Sequence, residues 1–364
     1  MTELRIPGPT PCPPEVLQVL SRQMIDHRGG EFVKIMNRVT EKLKQAFMTK
    51  NDVFVLTGSG TGGLEAAVVN TLSPGDKVLA VTIGAFGDRF AKIAKLFGAE
   101  VITLAVEWGK AADPDEIKKA LQADPGIKAV LVTHNETSTG VTNDIAAIAK
   151  VVKSFEKLIL VDSISGMSSI KCAVDEWNLD VVLSGSQKGW MVPPGLVFAS
   201  VSAQAWKAHA AAKMPRYYWD FAEAKKFLEK GQTPWTPAVS MIYAMDVALD
   251  MMLKEGMDNI FARHQRCGDI ARSGMKAMGQ HLLADEKFAS NTVTAVTAPE
   301  GLDVKEFRRI LREEHQVVIA GGQGKLEGKI FRIGHLGWVA EDNVKAVLKA
   351  IEVALPKALA AAKK

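Results

Sequence analysis

The sequence predicts an α/β protein, with a large domain on a mostly parallel sheet sandwiched by helices and a smaller C-terminal α+β domain. Three observations predict it. Between residues 53 and 199, short aliphatic and β-branched runs alternate with helical patterns, as in parallel strands joined by crossover helices. Those runs are apolar throughout, as expected of strands covered on both faces. At 364 residues the chain is longer than one compact core ordinarily fills. The expected division is an N-terminal arm over residues 1–20, a large domain over 21–250 and a small domain over 251–364.

The arm carries Pro7, Pro9, Pro11, Pro13 and Pro14, which bar a regular helix start or a central strand. It is expected to lie extended across the body or a partner. Phe32, Ile35, Val39, Leu43 and Phe47 recur at helical spacing and predict a helix over 31–48. Strands are expected at 53–56, 77–81, 101–104, 129–132, 158–162, 181–184 and 196–199. Helices are expected between them at 62–72, 89–97, 114–121 and 145–152, the third opening on Pro114. After Pro237 come two long helices, 238–255 and 259–278, then a weaker mixed pattern: 292–297, 304–315, 316–320, 329–334 and 341–355. Residues 358–364 read as a fraying, solvated helix end.

Composition excludes several roles. Lys and Arg (45) barely outnumber Asp and Glu (41), and no basic run is interleaved with aromatics, so neither nucleic acid nor a membrane surface is the expected partner. Cys12, Cys172 and Cys267 are few, odd in number and without metal-ligand spacing, which fits reduced thiols in the cytoplasm. The N-terminus has no apolar targeting core, and no stretch reaches the apolar length of a membrane span.

The chemistry gathers at the expected carboxyl edge of the sheet, where ligands of such folds collect. Lys188 closes Ser184-Gly185-Ser186-Gln187-Lys188 after a buried strand, and Asp162 ends a neighbouring strand. A desolvated lysine supplies the neutral amine that condenses with an aldehyde, and a strand-end carboxylate can hold a pyridinium nitrogen protonated. Those are the two attachments that pyridoxal phosphate requires. Gly58-Ser59-Gly60-Thr61-Gly62-Gly63 lies between a strand and a helix and reads either as a phosphate-binding turn or as a plain tight turn. Phe86, among small residues, is shaped to stack on a flat ring or to fill the core. His134-Asn135-Glu136-Thr137-Ser138-Thr139-Gly140 offers polar groups to a ring hydroxyl. Arg332, on an apolar strand, needs an anion, either a substrate carboxylate or a structural partner. Trp190, beside Lys188, is expected to narrow the pocket, and Tyr217, Tyr218 and Arg28 to line its mouth.

Together these segments resemble the class V aminotransferases of pyridoxal-phosphate fold type I, above all the alanine–glyoxylate and serine–glyoxylate (serine–pyruvate) branch. The resemblance runs from Pro7-Gly8-Pro9-Thr10 through the Ser59 loop, residues 134–140, Val161-Asp162-Ser163, 184–188 and Pro193-Pro194-Gly195 to Arg332-Ile333-Gly334. It implies that Lys188 carries the cofactor as a Schiff base and that Asp162 pairs with its ring nitrogen. By the same resemblance Phe86 stacks on the ring, Thr137 and Gln187 lie beside it, and Ser59, Gly60 and Thr61 hold the phosphate. Thr233 and Thr236 match a Tyr-x-x-Thr pair given by the other subunit, with Thr233 in place of the tyrosine, which implies a homodimer with shared sites. Arg332 and Gly8 fall on the substrate side.

The implied reaction is a ping-pong transfer of an amino group from alanine or serine to glyoxylate or pyruvate. No second arginine is evident beside the site to favour a dicarboxylate donor, although Arg28 keeps aspartate open. Two other readings compete: a cysteine desulfurase-like lyase, for which Cys267 lies in the wrong setting, and a non-catalytic binding subunit, which would not need both Lys188 and Asp162.

Overall fold

Seven strands form the central sheet of the computed structural model, which describes residues 2–361. In chain order the strands are β1 (Glu3–Arg5), β2 (Asp52–Gly58), β3 (Lys77–Thr82), β4 (Glu100–Ala105), β5 (Ala129–Thr133), β6 (Asn135–Glu136), β7 (Val141–Thr142), β8 (Leu158–Asp162), β9 (Val181–Gly185), β10 (Gly195–Val201), β11 (Val293–Thr297), β12 (Val317–Gly321) and β13 (Ile330–Gly334). The large sheet runs β2-β10-β9-β8-β5-β3-β4. All neighbours are parallel except β10, which is antiparallel to both β2 and β9. The carboxyl ends of β2, β3, β5, β8 and β9 therefore share one edge, and there the chain turns at Ser59, Gly84, His134, Ser163 and Ser186.

Strand periodicity divides the apolar runs between two cores. Val53, Val55, Val130, Val132, Ile159, Val161 and Phe198 pack on one face with helices Gly30–Phe47, Ile145–Ser154 and Val239–Glu255. Phe54, Leu56, Leu131, Leu160, Leu183 and Val197 pack on the other with helices Gly60–Thr71 and Ala85–Leu96. A third core joins helices Met257–Ala277, Val304–His315 and Glu341–Ala361 to a four-stranded sheet of order β1-β12-β13-β11. We propose the division between domains within the pair of long helices, near residue 250. Among the described residues no helix is long and apolar enough to cross a membrane.

Three local expectations change. The arm is not wholly irregular: β1, ahead of the first proline, adds a parallel edge strand to the small sheet, and a short helix starts at Pro14, where a missing N–H costs nothing. The last helix continues through Pro356 to Ala361 and buries Ala358, so the frayed end expected from residue 358 does not begin there; residues 362–364 lie outside the described residues. Helices Ala203–Ala211 and Phe221–Leu228, capped by Ser202 and Asp220, were not expected; each buries only one or two side chains and so leaves little apolar periodicity.

Trp190 does not narrow the pocket. It is fully buried, with its ring stacked on Phe47 at 5.7 Å and edge-on to Phe198 at 5.2 Å, and its indole N–H donates to Ser184 Oγ at 2.8 Å. Adjacency to Lys188 in sequence turns it into the core beneath the loop. Trp190→Ala should therefore lower unfolding free energy by roughly 3–5 kcal/mol in denaturant titration. Wild-type stability with a broadened donor range would contradict this placement.

Candidate active site

Lys188 sits where the β9 loop meets the arm. Its Nζ donates to the Pro7 carbonyl at 2.5 Å. The arm is fastened to the same loop by Thr10, whose N–H donates to Gln187 O at 3.1 Å and whose hydroxyl donates to Lys188 O at 3.0 Å. Gly8 has φ +115°, and a Cβ there would lie 2.8 Å from Lys188 Nζ. Glycine is thus needed both for backbone conformation and for clearance over the amine. Burial pulls the Lys188 amine down to about 8; Asp162 opposes the shift, and Arg332 and Arg89 add to it.

Asp162 ends β8, paired with Thr133 and Leu183 of the flanking strands. It is buried and accepts the Ile164 N–H at 3.0 Å. Burial pushes its carboxyl up to about 7; the Ile164 N–H resists, buried Glu136 adds to the rise, and Lys188 and Arg89 resist it. A cationic ring nitrogen beside Asp162 would offset that burial and restore the ionised form. His134, behind it, contacts Ser163 Oγ at 2.9 Å and is held near 4 by burial, hence neutral.

The phosphate-side loop enters its helix earlier than the sequence suggests. Ser59 is the N-cap, and Gly60 and Thr61 form the first turn, without any side-chain cap on the free amides. An uncapped N-terminus is a ready anion cradle. Ser59 and Thr61 are exposed, while Gly60 is buried against Ile164, whose Cδ1 would lie 2.6 Å from an added Cβ. Gln187 presents a buried Oε1 with no hydrogen-bond partner, an acceptor awaiting a donor. Pyridoxal phosphate fits this set: an aldehyde-binding amine, a carboxylate for the ring nitrogen, an anion cradle and an unmet acceptor.

A cavity of about 410 Å³ is lined by Pro7, Gly8, Phe86, Thr137, Lys188 and Arg332, among others. Arg332 is 4% exposed and has no carboxylate within ion-pair reach among the described residues. It donates to the carbonyls of Gly321 (2.8 Å) and Thr137 (2.9 Å), tying β13 to the β6–β7 turn. Burial lowers it to about 10, with Glu136 opposing. The Thr137 hydroxyl bonds Ser165 Oγ at 2.8 Å.

Thr233 and Thr236 are not among the cavity's lining residues. The Thr233 hydroxyl donates to Trp235 O at 2.7 Å, and Thr236 is exposed on a segment next to the exposed Tyr217 and Tyr218. Arg28 does not face the cavity: its guanidinium donates to the carbonyls of Thr233 and Pro234. Cys267 is fully buried in the small-domain core, and burial raises its thiol.

Sequence reasoning missed three residues. Arg89 lies over the Phe86 ring at 4.7 Å and donates to Thr61 Oγ1 at 3.2 Å; helix Ala85–Leu96 begins four residues ahead of the expected start and so sets the two on one face at i, i+3. Glu136 accepts the N–H groups of Phe86 and Gly87, each at 3.1 Å, and caps that helix. Arg308 reaches the cavity from helix Val304–His315.

Two outcomes follow. Gly8→Ala should lose roughly 1–3 kcal/mol of stability from backbone strain and weaken pyridoxal phosphate binding, read by denaturant unfolding and cofactor fluorescence titration. In cofactor-free protein about one Lys188 amine in ten is neutral at pH 7, against roughly one in three thousand for an ordinary lysine. The rate of adduct formation with pyridoxal phosphate should thus climb with pH up to about 8 and then level. A rate still climbing at pH 10 would refute the lowered amine.

Comparison with known proteins places the chain in a family. The family model described as "Aminotransferase class-V" matches residues 4–328. The chain is 44% identical to the soluble hydrogenase 42 kDa subunit of Anabaena cylindrica, over 97% of this chain and 92% of that protein. It is 37% identical to the L-aspartate–glyoxylate aminotransferase of Paracoccus denitrificans (91% and 85%) and 36% identical to the serine–glyoxylate aminotransferase of Methylorubrum extorquens (97% and 90%). Among solved structures, pyridoxamine–pyruvate aminotransferase from Mesorhizobium loti superposes with a TM-score of 0.94 at 32% identity, covering 98% of this chain and 92% of that one. An alanine–glyoxylate aminotransferase from Nostoc gives 0.93 at 29% identity, covering 97% and 95%. Cysteine desulfurases share the fold alone, at 13–14% identity. The chain belongs to the class V aminotransferases, pyridoxal-phosphate-dependent enzymes of fold type I.

Proposed function

We propose that this enzyme passes the amino group of a small 2-amino acid to a small 2-oxo acid such as glyoxylate or pyruvate, in ping-pong order. The carrying observation is the cavity that holds both the Lys188 amine, lowered to about 8, and Arg332, a buried guanidinium without a carboxylate. When bound, pyridoxal phosphate supplies an electrophilic aldehyde and a ring that withdraws electrons. Ser59, Gly60 and Thr61 would hold the phosphate on the free amides of their helix, Asp162 would keep the ring nitrogen protonated, and Phe86 would pack against the ring. Thr137 and Gln187 meet its polar edge.

Arg332 holds the donor's α-carboxylate and so turns the Cα–H toward Lys188. The Lys188 amine, aimed by the Pro7 carbonyl, would first condense with the aldehyde with loss of water and, once displaced by the donor's amine, would carry the Cα proton as the base. Donor and acceptor would use the same guanidinium in turn and so could not bind together, as a ping-pong order requires. Alanine and serine need only Arg332 for their one carboxylate, and Arg308 brings an acidic donor back into contention.

The exposed Tyr217, Tyr218 and Thr236 support a homodimer in which one subunit's Thr233–Thr236 segment completes its partner's phosphate site. The three free cysteines support a cytoplasmic setting. A desulfurase would need a mobile thiol beside Lys188, and buried Cys267 does not supply one.

The test is a half-reaction screen in which amino acids are added singly while the bound cofactor's absorption is followed. Lys188→Ala should still bind the cofactor yet lose turnover by at least about a thousandfold, the loss expected when a general base is removed. Turnover near wild type in that variant would end the proposal.

A further inference from the structure

Arg308 and Arg332 share one wall of the Lys188 cavity, with Gly321, Gly322 and Gln323 between them. Both guanidinium groups frame Gly321: Arg332 Nε donates to its carbonyl at 2.8 Å, and Arg308 Nη1 would stand 3.3 Å from a Cβ built on it. Arg308 Nε donates to Ile319 O at 3.1 Å, which fixes the half-buried side chain against β12. Its two terminal nitrogens have no hydrogen-bond partner, and no carboxylate pairs with it, among the described residues. Burial, and then the like charge of Arg312 on its own helix, hold it below the usual arginine range, and Arg308 in turn helps to lower Arg332 in the cavity. A neighbouring groove shares Arg308, Gly321 and Gly322 with the cavity and adds Asp303, Lys305 and Glu327; among the described residues neither carboxylate pairs with Arg308.

The next residue on the helix gives the contrast. Arg309 points outward and is neutralised within the chain by Glu306 and Glu313. On one helix, then, the solvent-facing arginine is paired and the cavity-facing arginine is left with two free donors. A half-buried guanidinium with two donors open to the cavity is a ready partner for an anion delivered with the ligand.

We propose that Arg308 binds a second carboxylate on the amino donor, so that the preferred donor is a short dicarboxylic amino acid of the aspartate class, with Arg332 on its α-carboxylate and Arg308 on its side-chain carboxylate. This rests on the transaminase reading above and deepens it. Arg308 is a specificity residue in this assignment and takes no part in proton transfer.

The experiment compares half-reactions of the cofactor-loaded enzyme with aspartate, alanine and serine. Aspartate should show the highest kcat/KM, and in Arg308→Gln the aspartate-to-alanine ratio should fall roughly 10- to 100-fold, chiefly through KM, with Arg308→Lys losing less. A ratio that moves less than about threefold, or a wild-type enzyme that prefers alanine or serine, overturns the inference while leaving the transaminase reading intact. If Arg308→Gln fails to fold, inhibition of the wild-type enzyme decides. Succinate should compete with the donor at least about tenfold more tightly than propionate, and equal or weaker inhibition by succinate overturns the assignment. Absence of any amino-acid half-reaction overturns the transaminase reading, and this inference with it.

Discussion

A lysine amine taken out of water loses much of its hold on its proton, and at this site that loss is set against a single buried carboxylate. Lys188 and Asp162 each shift toward neutrality because burial disfavours their charges, and each partly restrains the other. The fold supports this balance by ending β8 and β9 side by side at the carboxyl edge of a sheet whose strands are mostly apolar. Every other feature of the site serves the geometry around that pair: Gly8 clears the amine, the Pro7 carbonyl aims it, and Glu136 fixes the turn bearing Phe86.

Specific tethers join the small sheet and the arm to the large domain. Arg332, from the small sheet, bonds the Thr137 carbonyl of the large domain, and Thr10, from the arm, bonds the Lys188 carbonyl. The substrate-side cations thus come from one core and the lysine and aspartate from the other, with the cavity between them. A cleft so built positions a ligand's carboxylates and its reacting carbon with different rigid bodies.

Much of this was legible in the sequence because the signals were local. Unbroken apolar strands announced a parallel sheet, and the chemistry stood in short motifs directly after them, so Lys188, Asp162 and Arg332 fall at the turns and strands expected. What escaped was set by tertiary contact. Trp190 neighbours Lys188 in sequence but turns into the Phe47 core, and Arg28 turns to backbone carbonyls of a distant segment. Arg308 lies on a strongly amphipathic helix where arginines at 308 and 309 look alike; only packing against β12 separates the paired one from the one facing the cavity. Helix starts at Gly60 and Ala85 were also hidden, since glycine-rich first turns carry no propensity signal, and this hid the pairing of Arg89 with Phe86.

The edge strand Glu3–Arg5 lies against Val317–Ile319, more than three hundred residues along the chain. During synthesis this segment emerges well before its hydrogen-bonding mate. The closing of that ladder must therefore wait for all of the intervening chain, and closing so long a loop is entropically demanding. Because the same segment leads straight to Gly8 and Thr10, the reactive amine acquires its final surroundings only once that ladder has closed. Folding of the small sheet and completion of the catalytic centre are thereby coupled through one continuous segment.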